Sequence, residues 1–267
     1  MSPDGQRMVL DIDEGNRADL WVYDLPRGTL ARLTLDGTNT SPLWSPDGTK
    51  VAFQSNRAGP PNLFWRTADG SGAEERLTTS ERFQDVGAWS PDGETLAFKE
   101  VDPGTGADIL TLSLKGGGKP VPFVQTAFTE ASPAFSPDGR WVAYQSNESG
   151  RDEVYVQPFP GPGAKALVST DGGTEPAWSR KGDELFYRNG DKMMVVPTII
   201  QPTFTASKPE VLFERPYWMY PPLRNYDVTP DGRRFLMIKE SEQVAAATRV
   251  IVVLNWFEEL KRLVPTP

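Results

Sequence analysis

Acidic, amide and arginine side chains stand a few residues before a four-residue segment that this sequence repeats. The members of this set are Gln84, Asp85, Glu130, Glu175, Arg224 and Asn225. Carboxylate and amide oxygens are the ligands that Ca²⁺, Mg²⁺ and Mn²⁺ prefer. A divalent cation held by such groups could activate water or polarise an ester, with a carboxylate as general base. On this hypothesis the metal ligands are Asp85, Glu130, Glu175 and Asn225, and the catalytic candidates are Asp85, Glu130, Glu175 and Arg224.

Other kinds of chemistry are excluded by composition. The 267 residues include no histidine and no cysteine, which removes Ser-His-Asp and Cys-His nucleophilic systems, histidine-ligated zinc and disulfides. The 28 basic and 36 acidic residues give a formal charge of −8, whereas a nucleic-acid-binding protein normally shows a basic face. We therefore expect no nucleic-acid partner.

The repeated segment is Ser-Pro-Asp-Gly or a variant of it. Its copies occupy residues 2–5, 45–48, 90–93, 136–139, 179–182 (Ser-Arg-Lys-Gly) and 229–232 (Thr-Pro-Asp-Gly). Proline fixes φ, aspartate bonds to nearby backbone and glycine adopts positive φ, so each copy predicts a tight hairpin turn. A period of 40 to 50 residues with short strands is typical of a β-propeller. We predict an all-β, six-bladed propeller, a single domain over residues 1–267.

Each repeat carries the strands of one four-stranded blade. An aromatic residue precedes the turn at Trp44, Trp89, Phe135 and Trp178, and we expect these rings to pack between blades. The predicted second strands are 50–55, 95–98, 141–146, 184–187 and 234–238. The predicted third strands are 20–23, 62–65, 108–112, 153–156 and 193–196. A fourth strand with a Leu-Thr signal is predicted at 32–34 and 76–78, with a weaker version at 166–168.

The polar set lies just before the turns, on the innermost strands that surround a propeller's central channel. Two interpretations remain open for it. In the first, the channel is a solvated funnel in which Arg224 balances Asp85, Glu130 and Glu175 without any chemistry. In the second, the set holds a divalent cation. A further ligand-binding candidate is the aromatic run 217–223, with Trp218 and Tyr220, followed by Tyr226. This run could form a wall at the channel mouth or pack as a loop.

The two ends of the chain depart from the repeat. The sequence opens directly on the turn 2–5, so we expect the first blade to lack its innermost strand. The last repeat is predicted to contain a third strand at 250–254 and a short helix at 256–263. The C-terminal segment or a second copy of the chain could cover the strand edge of the first blade, so a homo-oligomer is possible. We expect the chain to be a fragment of a longer protein.

The repeat resembles the bacterial TolB-like propeller repeat, a WD-repeat-like family. The resemblance rests on Trp-Ser-Pro-Asp-Gly at 44–48 and 89–93, on the following strand Val-Ala-Phe-Gln-Ser at 51–55 and on the Leu-Thr strand. Residues 249–264 resemble the closing segment of propellers attached to bacterial membrane-spanning serine/threonine kinases. The resemblance implies a sensor or interaction module with an extracytoplasmic or periplasmic location. No kinase motif, membrane span or secretory signal peptide is recognisable in the sequence itself.

Three functional hypotheses follow. The first is a binding module, a sensor or scaffold, that engages a protein, a peptide or a small molecule at the channel mouth. The alternative is a promiscuous metal-assisted hydrolase of esters or phosphoesters in the channel. The third is a structural domain whose activity lies in upstream sequence.

Overall fold

The fold is a succession of antiparallel sheets, described by a computed structural model over residues 1–219 and 223–239. The all-β prediction is confirmed for these residues, which contain strands and no helix. No helix that could cross a membrane was found in the described ranges. Tyr220, the predicted third strand at 250–254 and the predicted helix at 256–263 lie outside the described residues.

The first three sheets cover the N-terminal half of the chain. The first sheet contains β1 (Arg7–Asp13), β2 (Ala18–Asp24) and β3 (Thr29–Arg32). The second contains β4 (Asn39–Trp44), β5 (Lys50–Ser55), β6 (Asn62–Thr67) and β7 (Glu75–Arg76). The third contains β8 (Gln84–Trp89), β9 (Thr95–Asp102), β10 (Gly106–Ser113) and β11 (Val121–Val124).

The remaining sheets follow in chain order. The fourth contains β12 (Glu130–Phe135), β13 (Trp141–Ser146), β14 (Glu153–Pro158) and β15 (Ala166–Leu167). The fifth contains β16 (Thr174–Trp178), β17 (Glu184–Asn189), β18 (Lys192–Ile199), β19 (Thr205–Ala206) and β20 (Glu210–Glu214). The sixth contains β21 (Tyr226–Val228) and β22 (Phe235–Met237) within the described residues.

The repeated segments form the hairpin turns that the sequence predicts. In the second sheet the Ser45 hydroxyl donates to Asp47 Oδ1 over 2.6 Å, and Gly48 N donates to Ser45 O over 2.9 Å. Gly48 has φ +70°, a conformation that other residues adopt only with strain. In the variant turn 179–182 the position of this aspartate holds Lys181, and the Ser179 hydroxyl donates to Asp183 instead, over 2.6 Å.

Hydrophobic clusters join consecutive sheets, as expected of blades that pack face to face. Trp44 packs with Leu20 and Leu33 of the preceding sheet, and Trp89 packs with Ala52 and Leu63 of its own preceding sheet. The other clusters join the third sheet to the fourth, the fourth to the fifth and the fifth to the sixth. The prediction that the aromatic residues before the turns pack between blades is therefore confirmed.

Neighbouring turns also touch, and these contacts link the end of the described chain to its beginning. The proline of one turn lies against the glycine of the next in the pairs Pro3–Gly48, Pro46–Gly93, Pro91–Gly139 and Pro137–Gly182. Pro230 of the last turn lies against Gly5 of the first. This last contact is the one that a closed ring requires, and it supports the six-bladed count, which itself stays a prediction.

The first sheet has one strand fewer than the three sheets that follow it. Its order is β1-β2-β3, and no described strand pairs with the inner edge of β1. In the second, third and fourth sheets the corresponding edge is covered by β4, β8 and β12. Within the described residues, the first blade lacks its innermost strand, as the sequence predicts.

Candidate functional site

A cavity of about 350 Å³ lies where the inner strands converge. Its lining includes the residues that stand three positions before the last five turns, namely Pro42, Gly87, Pro133, Pro176 and Tyr226. Its polar lining consists of Asp11, Ser41, Asp85, Lys99, Ser132, Arg224, Asn225 and Asp227. We call this space the central cavity. It contains both acidic and basic groups, so a ligand that enters it meets charges of either sign.

A cross-strand pairing between the inner strand and the second strand of one blade recurs in successive blades and positions polar side chains. We number each repeat from the first residue of its turn, so that Ser45 and Ser90 are position 0. The residue at −5 on the inner strand pairs with the residue at +9 on the second strand. The observed pairs are Thr40 with Gln54, Asp85 with Lys99, Ala131 with Gln145, and Thr174 with Arg188. Cross-strand neighbours lie close enough for direct side-chain interaction. Of the residues at these two positions, Asp11, Asp85, Lys99 and Arg224 supply charged groups to the cavity wall.

Asp85 forms the most deeply buried acidic group of the central cavity. Its carboxylate is 3.3 Å from the Lys99 ammonium, and the residue is 2% exposed. Burial raises the pKa of Asp85, although the charge of Lys99 opposes the increase. Its second oxygen, Oδ1, is buried and has no hydrogen-bond partner among the described residues. This oxygen is therefore an acceptor that the described fold leaves unsatisfied.

Asp11 lies on β1 and faces the same cavity. Its side chain reaches water in the cavity. Partial desolvation by the surrounding protein raises the pKa of Asp11, and the negative charge of Asp85 adds to the increase. Asp11 occupies position +9 of the first repeat, but its position −5 partner would belong to the inner strand that the first sheet lacks. Asp11 has no ion-pair partner in the part of the chain that the structure describes.

Asp11 and Lys99 were not among the residues singled out from the sequence. The signal that could have identified them is the polar residue at position +9 of an otherwise apolar second strand. This position holds Asp11, Gln54, Lys99, Gln145 and Arg188 in the first five repeats and Ile238 in the sixth. A search restricted to the residues before each turn considers the inner strands and overlooks their cross-strand partners.

The three predicted carboxylates lie at three different levels of the inner strands. Glu130 is at position −6, Asp85 at −5 and Glu175 at −4. Successive residues of a strand point to opposite faces, so equal distances from the turn are needed for side chains to share one ring. Among the described residues, no three acidic side chains come together as a group that could hold a metal ion. The structure thus places Asp85 in the cavity wall and separates it from the other two.

Glu130 and Glu175 form contacts that belong to the fold. Glu130 is fully buried and accepts hydrogen bonds from the hydroxyls of Thr126 over 2.5 Å and Ser146 over 3.3 Å. Glu175 accepts a hydrogen bond from Asn225 N over 2.9 Å and so connects the fifth inner strand to the sixth. Burial raises the pKa of both carboxyl groups. Neither side chain is part of the cavity lining.

Other predicted residues divide between the cavity and the blades. Arg224 and Asn225 line the cavity, and Arg224 lies 4.0 Å from Asp227. The Gln84 side chain is buried, donates to Glu100 over 2.6 Å and accepts from Thr78, and this places it inside its own blade. The Tyr226 ring lines the cavity, and its hydroxyl donates to Glu175 O over 2.8 Å.

The described part of the aromatic run 217–223 is partly packed. Tyr217 is buried in the cluster between the fifth and sixth sheets, and its ring lies edge-on to Phe213. Trp218 is 36% exposed, and its backbone N donates to Ile238 O over 2.9 Å. Trp218 is not among the residues that line the central cavity. The first residues of this run therefore behave as the packed loop that was one of the two interpretations.

Comparison with protein families matches residues 1–121 to the TolB beta propeller domain. Among curated proteins, the Tol-Pal system protein TolB of Francisella tularensis is 27% identical over 190 residues, which cover 68% of this chain and 43% of that protein. The chain spans less than half the length of the first curated relatives that it matches. None of these matches tests the resemblance to kinase-attached propellers, which stays a prediction.

Solved structures give the same fold. A TolB from Agrobacterium tumefaciens has a TM-score of 0.66 at 20% identity, with 80% of this chain and 78% of that chain covered. An oligogalacturonate lyase in complex with manganese has a TM-score of 0.64 at 14% identity, with 90% and 69% covered. At these identities the likeness establishes the fold alone.

Proposed function

The chain is a TolB-like β-propeller, and on this basis we propose that it is a protein-binding module whose partner inserts a segment into the central cavity. The observation that carries the proposal is the pair of acidic groups, Asp11 and Asp85, that face one water-accessible cavity. Buried or half-buried charges can anchor a partner when a matching charge enters beside them. A protein partner also agrees with the fold, because propellers are scaffolds whose function depends on the site they carry.

The alternative of a metal-assisted hydrolase receives no specific support from the described residues. The carboxylates that were to share a cation lie at three levels of the inner strands, and two of them hold strands and loops together. The composition offers no histidine as a general base. A divalent cation in the channel stays a prediction that metal analysis of the purified protein would test.

We also propose a sensor or scaffold role for the whole protein. The curated relatives are longer than this chain, so a sensor or scaffold role describes how a binding propeller would serve a larger protein. We include an extracytoplasmic location in the proposal, because the repeat resembles TolB-like propellers. A fusion of the parent protein to a compartment-specific reporter would test this location.

The binding proposal can be tested by selection. A displayed library of random peptides is selected on the purified chain, and the binders are then measured on two variants. Asp11→Arg places a cation in the cavity, whereas Asp13→Arg makes the same charge change on the same strand, at an exposed residue that does not line the cavity. We expect Asp11→Arg to weaken binding about tenfold or more and Asp13→Arg to leave it unchanged.

Thermal unfolding of both variants controls for loss of structure. If selection yields no binder, or if the binders are indifferent to Asp11→Arg in a folded protein, the central cavity is not the binding site.

A further inference from the structure

One polar position near the start of the third strand recurs in the first four sheets. Its residue pairs with position +10 of the second strand. The residues at this position are Asp19, Asn62, Asp108 and Glu153. In the first sheet the side chain also reaches the next blade, because Asn39 Nδ2, at position −6 of the second repeat, donates to Asp19 Oδ1 over 3.4 Å. We call the meeting of this position with position −6 of the next repeat a blade junction.

An arginine contacts the polar side chain at three of these four positions. The arginine stands either two residues earlier in the chain or on the neighbouring fourth strand. The observed contacts join Asp19 to Arg17 and Arg32, Asn62 to Arg76, and Glu153 to Arg151. Buried polar groups need such partners, because they have lost their contacts with water.

The third junction, formed by Asp108 and Glu130, departs from this arrangement. Gly106 stands two residues before Asp108, where the first and fourth sheets carry arginine. Pro122 pairs with Leu110, where the fourth strands of the first and second sheets carry arginine. Position −6 of the following repeat holds Glu130, whereas the second and third repeats hold an amide there. Among the described residues, the third junction thus has two carboxylates and no partner arginine.

Both carboxylates of the third junction are buried, and each leaves one oxygen unsatisfied. Asp108 is 1% exposed and Glu130 is fully buried. Asp108 Oδ2 accepts hydrogen bonds from the Thr105 hydroxyl over 2.6 Å and from Gln125 Nε2 over 3.1 Å. The two hydrogen bonds of the Glu130 side chain both go to Oε1. Asp108 Oδ1 and Glu130 Oε2 are buried without a hydrogen-bond partner in the part of the chain that the structure describes.

The two carboxylates belong to one site. The consecutive residues Gln125 and Thr126 contact them, Gln125 through Asp108 and Thr126 through Glu130. The negative charge of Asp108 also adds to the raised pKa of Glu130. A water molecule could donate to both unsatisfied oxygens, but it would not compensate their charges. Buried charges without a counter-charge are costly, so the site requires a cation.

We propose that the third junction binds one calcium ion through Asp108 Oδ1 and Glu130 Oε2, in place of the arginine that the other junctions carry. Ca²⁺ binds about six to eight oxygen atoms, and carboxylates are among its preferred ligands. The groups around the two carboxylates, which include the hydroxyls of Thr105 and Thr126, offer neutral oxygens. Mg²⁺ requires stricter octahedral geometry and keeps more of its water, so this buried site favours calcium.

The calcium site is separate from the central cavity. Neither Asp108 nor Glu130 lines that cavity, so the proposal does not depend on the proposed binding function. Gln125 is exposed and contacts Asp108 directly, which places the site just beneath the surface, where an ion can reach it. The ion would connect β10 of the third sheet to β12 of the fourth and would stabilise their junction.

Calcium binding can be measured on the intact chain after treatment with a chelator. Isothermal titration with Ca²⁺ should give one site per chain. The midpoint of thermal unfolding should rise with the calcium concentration, because the ion binds the folded state. We expect Mg²⁺ to bind about tenfold or more weakly.

Three variants with matched changes locate the site. Asp108→Asn and Glu130→Gln each remove one charge and keep the shape of the side chain. Each should weaken calcium binding about tenfold or more, because affinity depends on the number of charged ligands. Glu153→Gln makes the same change at the equivalent position of the fourth sheet, where Arg151 already compensates the charge. This control should leave the affinity for calcium unchanged.

Gln125→Lys provides a test that does not remove either carboxylate. The substitution brings an ammonium group to an exposed side chain that already contacts Asp108. If the site requires a cation, the lysine should prevent calcium binding and raise the unfolding midpoint of the calcium-free protein.

Three results would overturn the proposal. The first is a folded wild-type chain that binds no calcium at millimolar concentrations. The second is unchanged calcium affinity in the folded Asp108→Asn and Glu130→Gln variants, which would place the ion elsewhere. The third is a wild-type chain that does not respond to calcium while Glu130→Gln is more stable, which would show that the two carboxylates share a proton. None of these results bears on peptide binding in the central cavity.

Discussion

Asp85 and Lys99 show how a charged pair can be buried in a blade and still face a cavity. The ammonium lies 3.3 Å from one carboxylate oxygen, while the other oxygen is buried without a described partner. Removal of a carboxylate from water disfavours its charged form, and one cation offsets this cost only in part. The pKa of Asp85 is accordingly raised from its usual value of 3.8.

This raised pKa predicts a pH dependence of stability. A carboxyl group whose pKa is higher in the folded state contributes stability that is present below its usual pKa and is lost as the pH rises through the folded value. The variant Asp85→Asn cannot lose this contribution. We therefore expect the free energy of unfolding of the variant, relative to wild type, to increase as the pH rises from about 4 to about 7. Urea denaturation across this range measures the difference.

Asp47 provides a control of opposite sign. Hydrogen bonds from the Ser45 hydroxyl and the Thr49 backbone lower the pKa of Asp47. Its contribution to stability is therefore present above its usual pKa and is lost as the pH falls through the lower, folded value.

Parallel pH curves of the free energy of unfolding for wild type and Asp85→Asn would contradict the account of Asp85.

At the scale of single residues, the sequence predicted that polar side chains before the turns face the channel, but it did not predict which of them lie together. Asp85, Arg224 and Asn225 are in the cavity wall as expected. Glu130 and Glu175 were grouped with them because all stand four to six residues before a turn. Successive side chains of a strand point to opposite faces. A group that accepts any residue from −6 to −4 therefore combines residues of different faces and levels.

At the scale of strands and turns, the repeat predicted the positions of the strands, but the predicted fourth strands are shifted toward the C-terminus. The second strands at 50–55 and 141–146 have the predicted bounds. The Leu-Thr signal lies just beyond the fourth strand, since β3 ends at Arg32 and β7 at Arg76. Thr34 Oγ1 instead accepts a hydrogen bond from Leu20 N over 2.9 Å, and Thr78 Oγ1 accepts one from Leu63 N over 3.0 Å. At these positions the threonine hydroxyl, and not a backbone carbonyl, accepts the hydrogen bond from the neighbouring strand. The strand propensity of a Leu-Thr pair does not distinguish these two kinds of partner.

The turns also provide a test of the contact between the first and last repeats. Gly5 and Gly232 have φ of 71° and 69°, so alanine causes a similar backbone strain at both. A Cβ at Gly5 would lie 3.2 Å from Pro230, whereas a Cβ at Gly232 would meet nothing within 4 Å. We expect Gly5→Ala to lower the free energy of unfolding by about 1 kcal/mol more than Gly232→Ala. Chemical denaturation of both variants measures this, and equal losses would argue against the Pro230–Gly5 contact.

The open space beside Gly232 has a cause in the sequence. Every other turn glycine of the repeat lies against the proline of the preceding turn, but the turn before Gly232 carries Arg180 in place of proline. The Arg180 guanidinium instead donates to Pro3 O over 2.6 Å. The variant turn therefore changes the packing of its neighbour, a consequence that the sequence of the turn alone does not show.

At the scale of the whole molecule, the period and the turn chemistry were enough to predict an all-β propeller. The contribution of the second strands to the site was not predicted. Asp11 and Lys99, which both stand at position +9, line the central cavity.

The central claim is that a partner segment occupies the cavity beside β1, and amide hydrogen exchange tests it most directly. The measurement compares the intact chain with and without a library-selected binder. The account predicts slower exchange in the bound state at residues 9–11 of β1 and at residues 223–227 of the opposite wall. Protection confined to the outer strands, with residues 9–11 unchanged, would contradict it.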